Sequence, residues 1–309
     1  MPDLRDSTKF KSRDAASYDP LAAEFDRFTR RLTQPLAERM IDLANLRPSE
    51  RVLDLGTGTG IVALAAAARP NSPTRIVAVD LSEGMLCTAK QRATQEGSGS
   101  RLDFCRMDAE ELGLQSASFD VALSLFALLH FPNPLSALRE LFRILRPGGR
   151  LVLAVGSGPS WASRDAVTEG VKFFRRSLEI RCKRLLTGPS SLNELVARRL
   201  EGHGDPEESS LAAKGRKRKQ KVPELIRDAG FRSLQTGWCG AETELETPEE
   251  FWDLQRTFSS FARKRLLDAD ARQVEAVRTE FLELCREVQA RGGKLTYPYG
   301  ALYVAARRP

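Results

Sequence analysis

Between Arg51 and Val155 the spacing of apolar residues changes period again and again, and few folds tolerate that pattern. Arg51 to Leu55 is a short apolar run that reads as a strand, and the Ala-rich segment Ile61 to Ala68 behind it reads as a helix. The alternation returns with strand Arg75 to Val79, helix Glu83 to Gln95 and strand Leu102 to Arg106. Strand Phe119 to Leu125, helix Leu135 to Leu145 and strand Arg150 to Val155, after the turn Pro147-Gly148-Gly149, complete it. Strands that alternate with helices are joined by right-handed crossovers, so the sheet they build is parallel and covered on both faces. The expected fold class is therefore α/β, with a doubly wound, mostly parallel sheet.

The flanks are helical. Residues 1 to 17 are polar and aperiodic, and read as a partly ordered tail. From Asp19 to Leu46 the apolar positions Leu21, Phe25, Phe28, Leu32, Leu36, Met40, Ile41 and Leu43 recur at helical spacing, with a break near Thr33 ahead of Pro35. Beyond Gly156 helices are expected around Val167 to Leu186, Ser191 to Leu200 and Pro223 to Ala229, followed by a strand region Phe231 to Glu246. Thr247 with Pro248 opens a helical stretch to Gln289, and Ala301 to Ala305 forms a last strand. This divides the chain into an N-terminal tail and helical lid (1–46), a core (47–156), a helical insertion after strand five (157–221) and the remainder of the core with C-terminal helices and last strand (222–309).

Composition excludes several classes. A membrane span needs about 18 to 20 apolar residues in a row, and the runs Ile61 to Ala68 and Val121 to Leu129 are far shorter. The charged start Met1-Pro2-Asp3-Leu4-Arg5-Asp6 is unlike a secretory signal, which points to a cytoplasmic protein. Five cysteines without a C-x-x-C pair propose neither a disulfide framework nor a thiolate metal site, and no metal is expected. The net charge of +7 is local: Arg164 to Lys221 holds 15 Lys/Arg against 8 Asp/Glu, and the rest of the chain balances. That pattern sets one segment apart and does not describe a polyanion-binding surface over the whole molecule.

Chemistry concentrates in the first turn of the sheet, Asp54-Leu55-Gly56-Thr57-Gly58-Thr59-Gly60. Gly56 and Gly58 let backbone approach a ligand at the carboxyl end of the strand, where open α/β sheets bind. The dinucleotide spacing G-x-G-x-x-G fails, because its third glycine falls on Ile61. A carboxylate at Asp54 repels a pyrophosphate and suits a ligand with cationic groups. Asp80 ends the second strand 22 residues beyond Gly58, placed to accept both hydroxyls of a ribose. Adenosine with a positively charged substituent satisfies both signals.

With these residues the chain resembles the class I S-adenosylmethionine-dependent methyltransferases, and within them the small-molecule group that includes the ubiquinone and menaquinone methyltransferases. The resemblance covers roughly residues 18 to 155 and implies a Rossmann-like core binding S-adenosyl-L-methionine. Val52 to Gly60 matches the cofactor loop, with Asp54, Gly56, Gly58 and Gly60, and Val79 to Leu86 the ribose segment with Asp80. The resemblance further implies Leu81 and Met85 beside the adenine, Asp108 receiving its amino group with Ala109 packed nearby, and Ser124 and Leu125 near the methionine part. Tyr18 would close over the cofactor, with helix packing as its alternative role. His130, one of two histidines, follows strand four near where the methyl should emerge and is the general-base candidate, with packing as the alternative.

The expected reaction is in-line methyl transfer to a small, apolar or aromatic acceptor at O, N or C. It needs alignment more than acid–base help, since the sulfonium is already activated. Ser124-Leu125-Phe126-Ala127 stands where nucleic-acid adenine methylases carry Asp/Asn-Pro-Pro-aromatic, and no cysteine ends strand four or five as pyrimidine C5 methylation requires. Trp161, Phe173, Phe174, Trp238, Phe251, Trp252, Phe258 and Phe261, with the aliphatic Leu178, offer apolar and aromatic surface for the acceptor, or ordinary core. The run Lys214 to Lys221 reads first as a solvated loop before the next helix, and as a binder of phosphate, RNA or an acidic substrate it keeps a second reading open, an RNA-directed methyltransferase or a non-catalytic methyltransferase-like binding protein. The expected partner is a small-molecule acceptor, with nucleic acid second and the oligomeric state open.

Overall fold

The apolar runs become the strands of one sheet in the computed structural model, which describes residues 4–70, 75–157, 190–200 and 222–309. Helices α1 (Leu4–Ala16), α2 (Ala22–Leu32) and α3 (Gln34–Ala44) precede β1 (Arg51–Leu55). Then follow α4 (Ile61–Ala67), β2 (Arg75–Asp80), α5 (Glu83–Gln95), β3 (Leu102–Arg106), β4 (Phe119–Leu125), α6 (Pro134–Ile144) and β5 (Leu145–Gly156). The rest is α7 (Ser190–Arg199), α8 (Val222–Asp228), β6 (Arg232–Leu245), α9 (Pro248–Phe258), α10 (Ser260–Asp268), α11 (Ala271–Ala290) and β7 (Leu295–Arg307). The strand order is β3-β2-β1-β4-β5-β7-β6. β1 pairs in parallel with β2 and β4, β2 with β3 and β4 with β5, while β7 runs antiparallel to β5. The order reverses between β1 and β4, the switch point where such sheets open a ligand crevice.

Burial explains why these runs are strands. Leu53, Val121, Leu123, Leu151 and Leu153 are fully buried, as expected for strands covered on both faces. Each such side chain contributes about 1.5–3 kcal/mol. The described residues form two compact units: those up to 157 with 222–239 and 301–309, and 190–200 with 240–300. Phe251 and Trp252 pack on Phe281 inside the second unit, with ring centroids 5.7 and 5.6 Å away, so these two aromatics are core and not acceptor surface. Among the described residues no helix is long and apolar enough to cross a membrane.

Three local expectations change. Residues 4–16 are a helix and not a tail, because α1 is held by charged side chains that leave no apolar periodicity to read. The stretch from Thr247 to Gln289 is three helices, interrupted where Ser259 caps Ala262 N–H and where Asp270 and Gln273 form a reciprocal capping box. The turn Pro147-Gly148-Gly149 lies within β5, as a bulge between the pairs Phe119–Leu145 and Val121–Arg150. The expected helix at 167–186, the aromatics Trp161, Phe173 and Phe174 with Leu178, and the basic run 214–221 lie outside the described residues.

Candidate functional site

The loop after β1 is wired inward. Gly56 and Thr57 N–H donate to Val79 O at 2.8 and 2.9 Å, Gly58 N–H to Asp80 Oδ2 at 2.9 Å, and Gly60 N–H to Thr57 O at 2.9 Å. Amides that cradle phosphate must face the ligand, and these four are spent on the protein itself. Gly56 and Gly58 have φ of +70° and +54°, and a Cβ on Gly56 would stand 2.2 Å from Ala127 Cβ, so that turn admits only glycine.

Asp54 lies beneath the loop with 1% of its surface exposed. Its Oδ2 accepts from Thr57 Oγ1 at 2.6 Å and Ala63 N–H at 3.1 Å, whereas the buried Oδ1 has no partner. Burial pushes its pKa up to about 7, against the lowering effect of those two hydrogen bonds and with some help from the Asp80 charge. An unsatisfied buried carboxylate oxygen fits a cationic ligand better than an anionic one.

Asp80 joins the loop to the next segment. Besides Gly58 N–H it accepts Ser82 N–H on Oδ1 at 2.9 Å. Burial raises its pKa, with the backbone donors and then His130 opposing. Ser82 caps α5, its Oγ accepting from Met85 N–H and donating to Asp19 Oδ1 at 2.6 Å. Gly84 N–H donates to the same Asp19 oxygen at 3.0 Å, and a Cβ on Gly84 would meet Asp19 Cα at 2.8 Å. Leu81 is half-buried and its carbonyl accepts from Arg106 Nε, while Met85 is buried.

At the end of β3, Asp108 Oδ1 accepts Glu110 N–H at 2.9 Å, and Ala109 is buried behind it. Lys11 of α1 reaches Asp108 Oδ2 and Glu110 Oε2, both at 2.8 Å. At the end of β4, Ser124 and Leu125 are buried, and Ser124 Oγ has no partner. Phe126 follows with φ of +64°, a strained conformation for an aromatic residue, its N–H donating to Ala154 O at 2.8 Å. His130 sits in a short turn of 3-10 helix beyond it. Its Nδ1 is 3.6 Å from Asp14 Oδ2, and its ring meets Tyr18 edge-on at 6.2 Å. Tyr18 in turn meets Phe25 at 5.7 Å, and Phe25 Cε1 lies 3.8 Å from where a Gly58 Cβ would be.

The carboxyl ends of β1, β2, β3 and β4 therefore gather Asp54, Gly56, Gly58, Asp80, Asp108, Ser124 and His130 along one edge, with Gly60 opening α4 in the left-handed conformation. Lys11, Asp14 and Asp19 carried no sequence signal, since nothing local shows which strand end a charged side chain of the N-terminal segment meets, while Phe25 and Phe126 stood in the sequence only as members of an apolar run and of the segment after β4. The family model of a methyltransferase domain matches residues 53–153, the segment that contains all four strand ends. The chain thus carries a methyltransferase domain over these residues.

The methyltransferase is 29% identical over 200 residues to the ubiquinone/menaquinone biosynthesis C-methyltransferase UbiE of Hydrogenovibrio crunogenus, covering 64% of this chain and 76% of that protein. It is 28% identical over 235 residues to the demethylmenaquinone methyltransferase of Clavibacter sepedonicus, covering 74% and 86%. Among solved structures, the YcgJ protein of Bacillus subtilis superposes with a TM-score of 0.51 at 19% identity over 88% of this chain and 97% of that one, a likeness of fold. The protein is thus an enzyme of methyl transfer.

Proposed function

We propose that the methyltransferase holds its cofactor along the ends of β1 to β4 and methylates a small apolar or aromatic acceptor, with a quinol or phenol ring as the leading class. The observation that supports this placement most is the loop whose amides face inward over the buried Asp54 carboxylate. Such a site favours a cation and offers nothing to a pyrophosphate. Bound there, S-adenosylmethionine supplies an already activated methyl group.

The residues then have separate tasks. Asp80 receives the ribose hydroxyls on lone pairs left over from Gly58 and Ser82, Leu81 and Met85 flank the adenine, and Asp108 with Ala109 bounds its amino edge. Gly56, Gly58 and Gly60 admit the methionine part beside Asp54, and Ser124 and Leu125 line the end of β4. Tyr18 closes from the N-terminal side. His130 stands where a hydroxyl or carbon acid could lose its proton, with Asp14 Oδ2 3.6 Å from its Nδ1. The ring acceptor rests on the relatives, two quinone-pathway enzymes by name.

Calorimetric titration with S-adenosylmethionine and S-adenosylhomocysteine, with NAD as control, tests the placement, and transfer of a labelled methyl to a panel of phenols, quinols and amines tests the acceptor. Saturable binding of the first two ligands alone, with label on phenols or quinols, is expected. Binding of NAD, or label on none of the panel, counts against the reading.

A further inference from the structure

The ion pair between helix α1 and the end of β3 has no part in that reading, yet it lies in the middle of it. Lys11 Nζ stands 2.8 Å from Asp108 Oδ2 and 2.8 Å from Glu110 Oε2, with side-chain exposures of 16% for Lys11, 11% for Glu110 and 34% for Asp108. The other oxygens are engaged too: Asp108 Oδ1 by Glu110 N–H, and Glu110 Oε1 by Asn133 N–H at 2.7 Å. Each Asp108 oxygen thus carries one donor already, and an adenine amino group that is to donate to Oδ2 has to share it with the Lys11 ammonium. An ammonium makes the stronger hydrogen bond to a carboxylate than a neutral amine does, so the amino group alone does not displace it.

The same helical segment is tied to two further strand ends. Asp14 faces His130 at 3.6 Å after β4, and Asp19 accepts from Ser82 and Gly84 after β2. The contacts run from charged side chains of residues 11 to 19 onto the segments proposed to hold adenine, ribose and the reacting methyl. They are electrostatic and partly exposed, so salt weakens them.

We propose that helix α1 is an autoinhibitory lid in which the Lys11 ammonium occupies the adenine-amino position on Asp108, so that cofactor binding requires α1 to release it. This rests on the cofactor placement proposed above. Lys11 is then a built-in competitor: its removal tightens cofactor binding, where loss of an ordinary stabilising contact would weaken it.

The test is calorimetric titration of the full chain with S-adenosylhomocysteine, comparing wild type, K11M and D80N at low and high NaCl. K11M keeps the aliphatic stem and removes the charge. It is expected to bind about ten-fold tighter than wild type, equivalent to about 1.4 kcal/mol, and with little salt dependence, whereas wild type tightens as salt is added. Equal or weaker binding by K11M overturns the inference and makes α1 a clamp that closes over the cofactor. If K11M folds poorly, hydrogen exchange of residues 4–16 in the wild type decides: faster exchange with S-adenosylhomocysteine supports release, and unchanged or slower exchange overturns it. D80N separates the two levels of the argument. Its binding like wild type would overturn the cofactor placement and the lid together, whereas weakened binding by D80N with no gain in K11M would remove the lid alone.

Discussion

Binding of S-adenosylmethionine should expel a proton from Asp54. The side chain is 1% exposed and Oδ1 has no hydrogen-bond partner, so the charged form is costly and the pKa rises from 3.8 to about 7. In the unfolded chain the same group titrates near its ordinary value. Between the two values the folded state binds the extra proton, so this contribution to stability is fully present below about pH 4 and is lost as the pH climbs through about 7. Its size is on the order of 4 kcal/mol as an upper bound. A sulfonium and an ammonium brought alongside reverse the preference and favour the carboxylate. Titration calorimetry at about pH 6, in two buffers of different ionisation enthalpy, should therefore report a fraction of a proton released per cofactor bound, with affinity rising up to about pH 8. D54N should lose both the release and this pH dependence, which subtracts the titration of the cofactor's own amino group, and it should gain thermal stability relative to wild type as the pH rises. Proton release that persists in D54N, or is missing in wild type, would refute the electrostatic account of the loop.

Three further outcomes follow from the same geometry. G56A forces a Cβ to 2.2 Å from Ala127 Cβ at a positive φ, and should cost about 2–4 kcal/mol in denaturant unfolding; a wild-type midpoint would mean that residues 127–131 move aside freely. D80N keeps one acceptor oxygen for two backbone donors and should weaken S-adenosylhomocysteine binding by about ten- to a hundred-fold in calorimetry, whereas unchanged affinity removes Asp80 from the ribose site. H130Q should slow methyl transfer by about 10²–10⁴ with S-adenosylhomocysteine affinity retained. Turnover equal to wild type would leave His130 a packing role against Tyr18.

The core of the fold was legible because strands and helices in a parallel sheet carry different apolar periods. β1, β3, β4 and α5 begin and end where the apolar pattern predicts, and the acidic and glycine residues of the site stand at strand ends that the pattern alone located. Segments held by charge were not legible in the same way. α1 carries no apolar stripe, and its partners Asp108 and His130 are 97 and 116 residues away from Lys11 and Asp14 in sequence. The breaks at Ser259 and Asp270 were within reach, since both are N-cap residues and Asp270 has a glutamine three positions on.

What this sequence determines by itself is local: the period of each run, the turn that only glycine can make after β1, and a carboxylate at the ends of β1, β2 and β3. Those are properties of residues within a few positions of one another, and they suffice for the α/β class and for a cationic nucleoside ligand. Tertiary structure decided the rest. It turned the loop amides onto Val79 and Asp80, left one oxygen of Asp54 buried and unpaired, and set Lys11 on Asp108. Desolvation and ion pairing depend on which distant segments come within a few ångströms of each other, and no period in the chain encodes that.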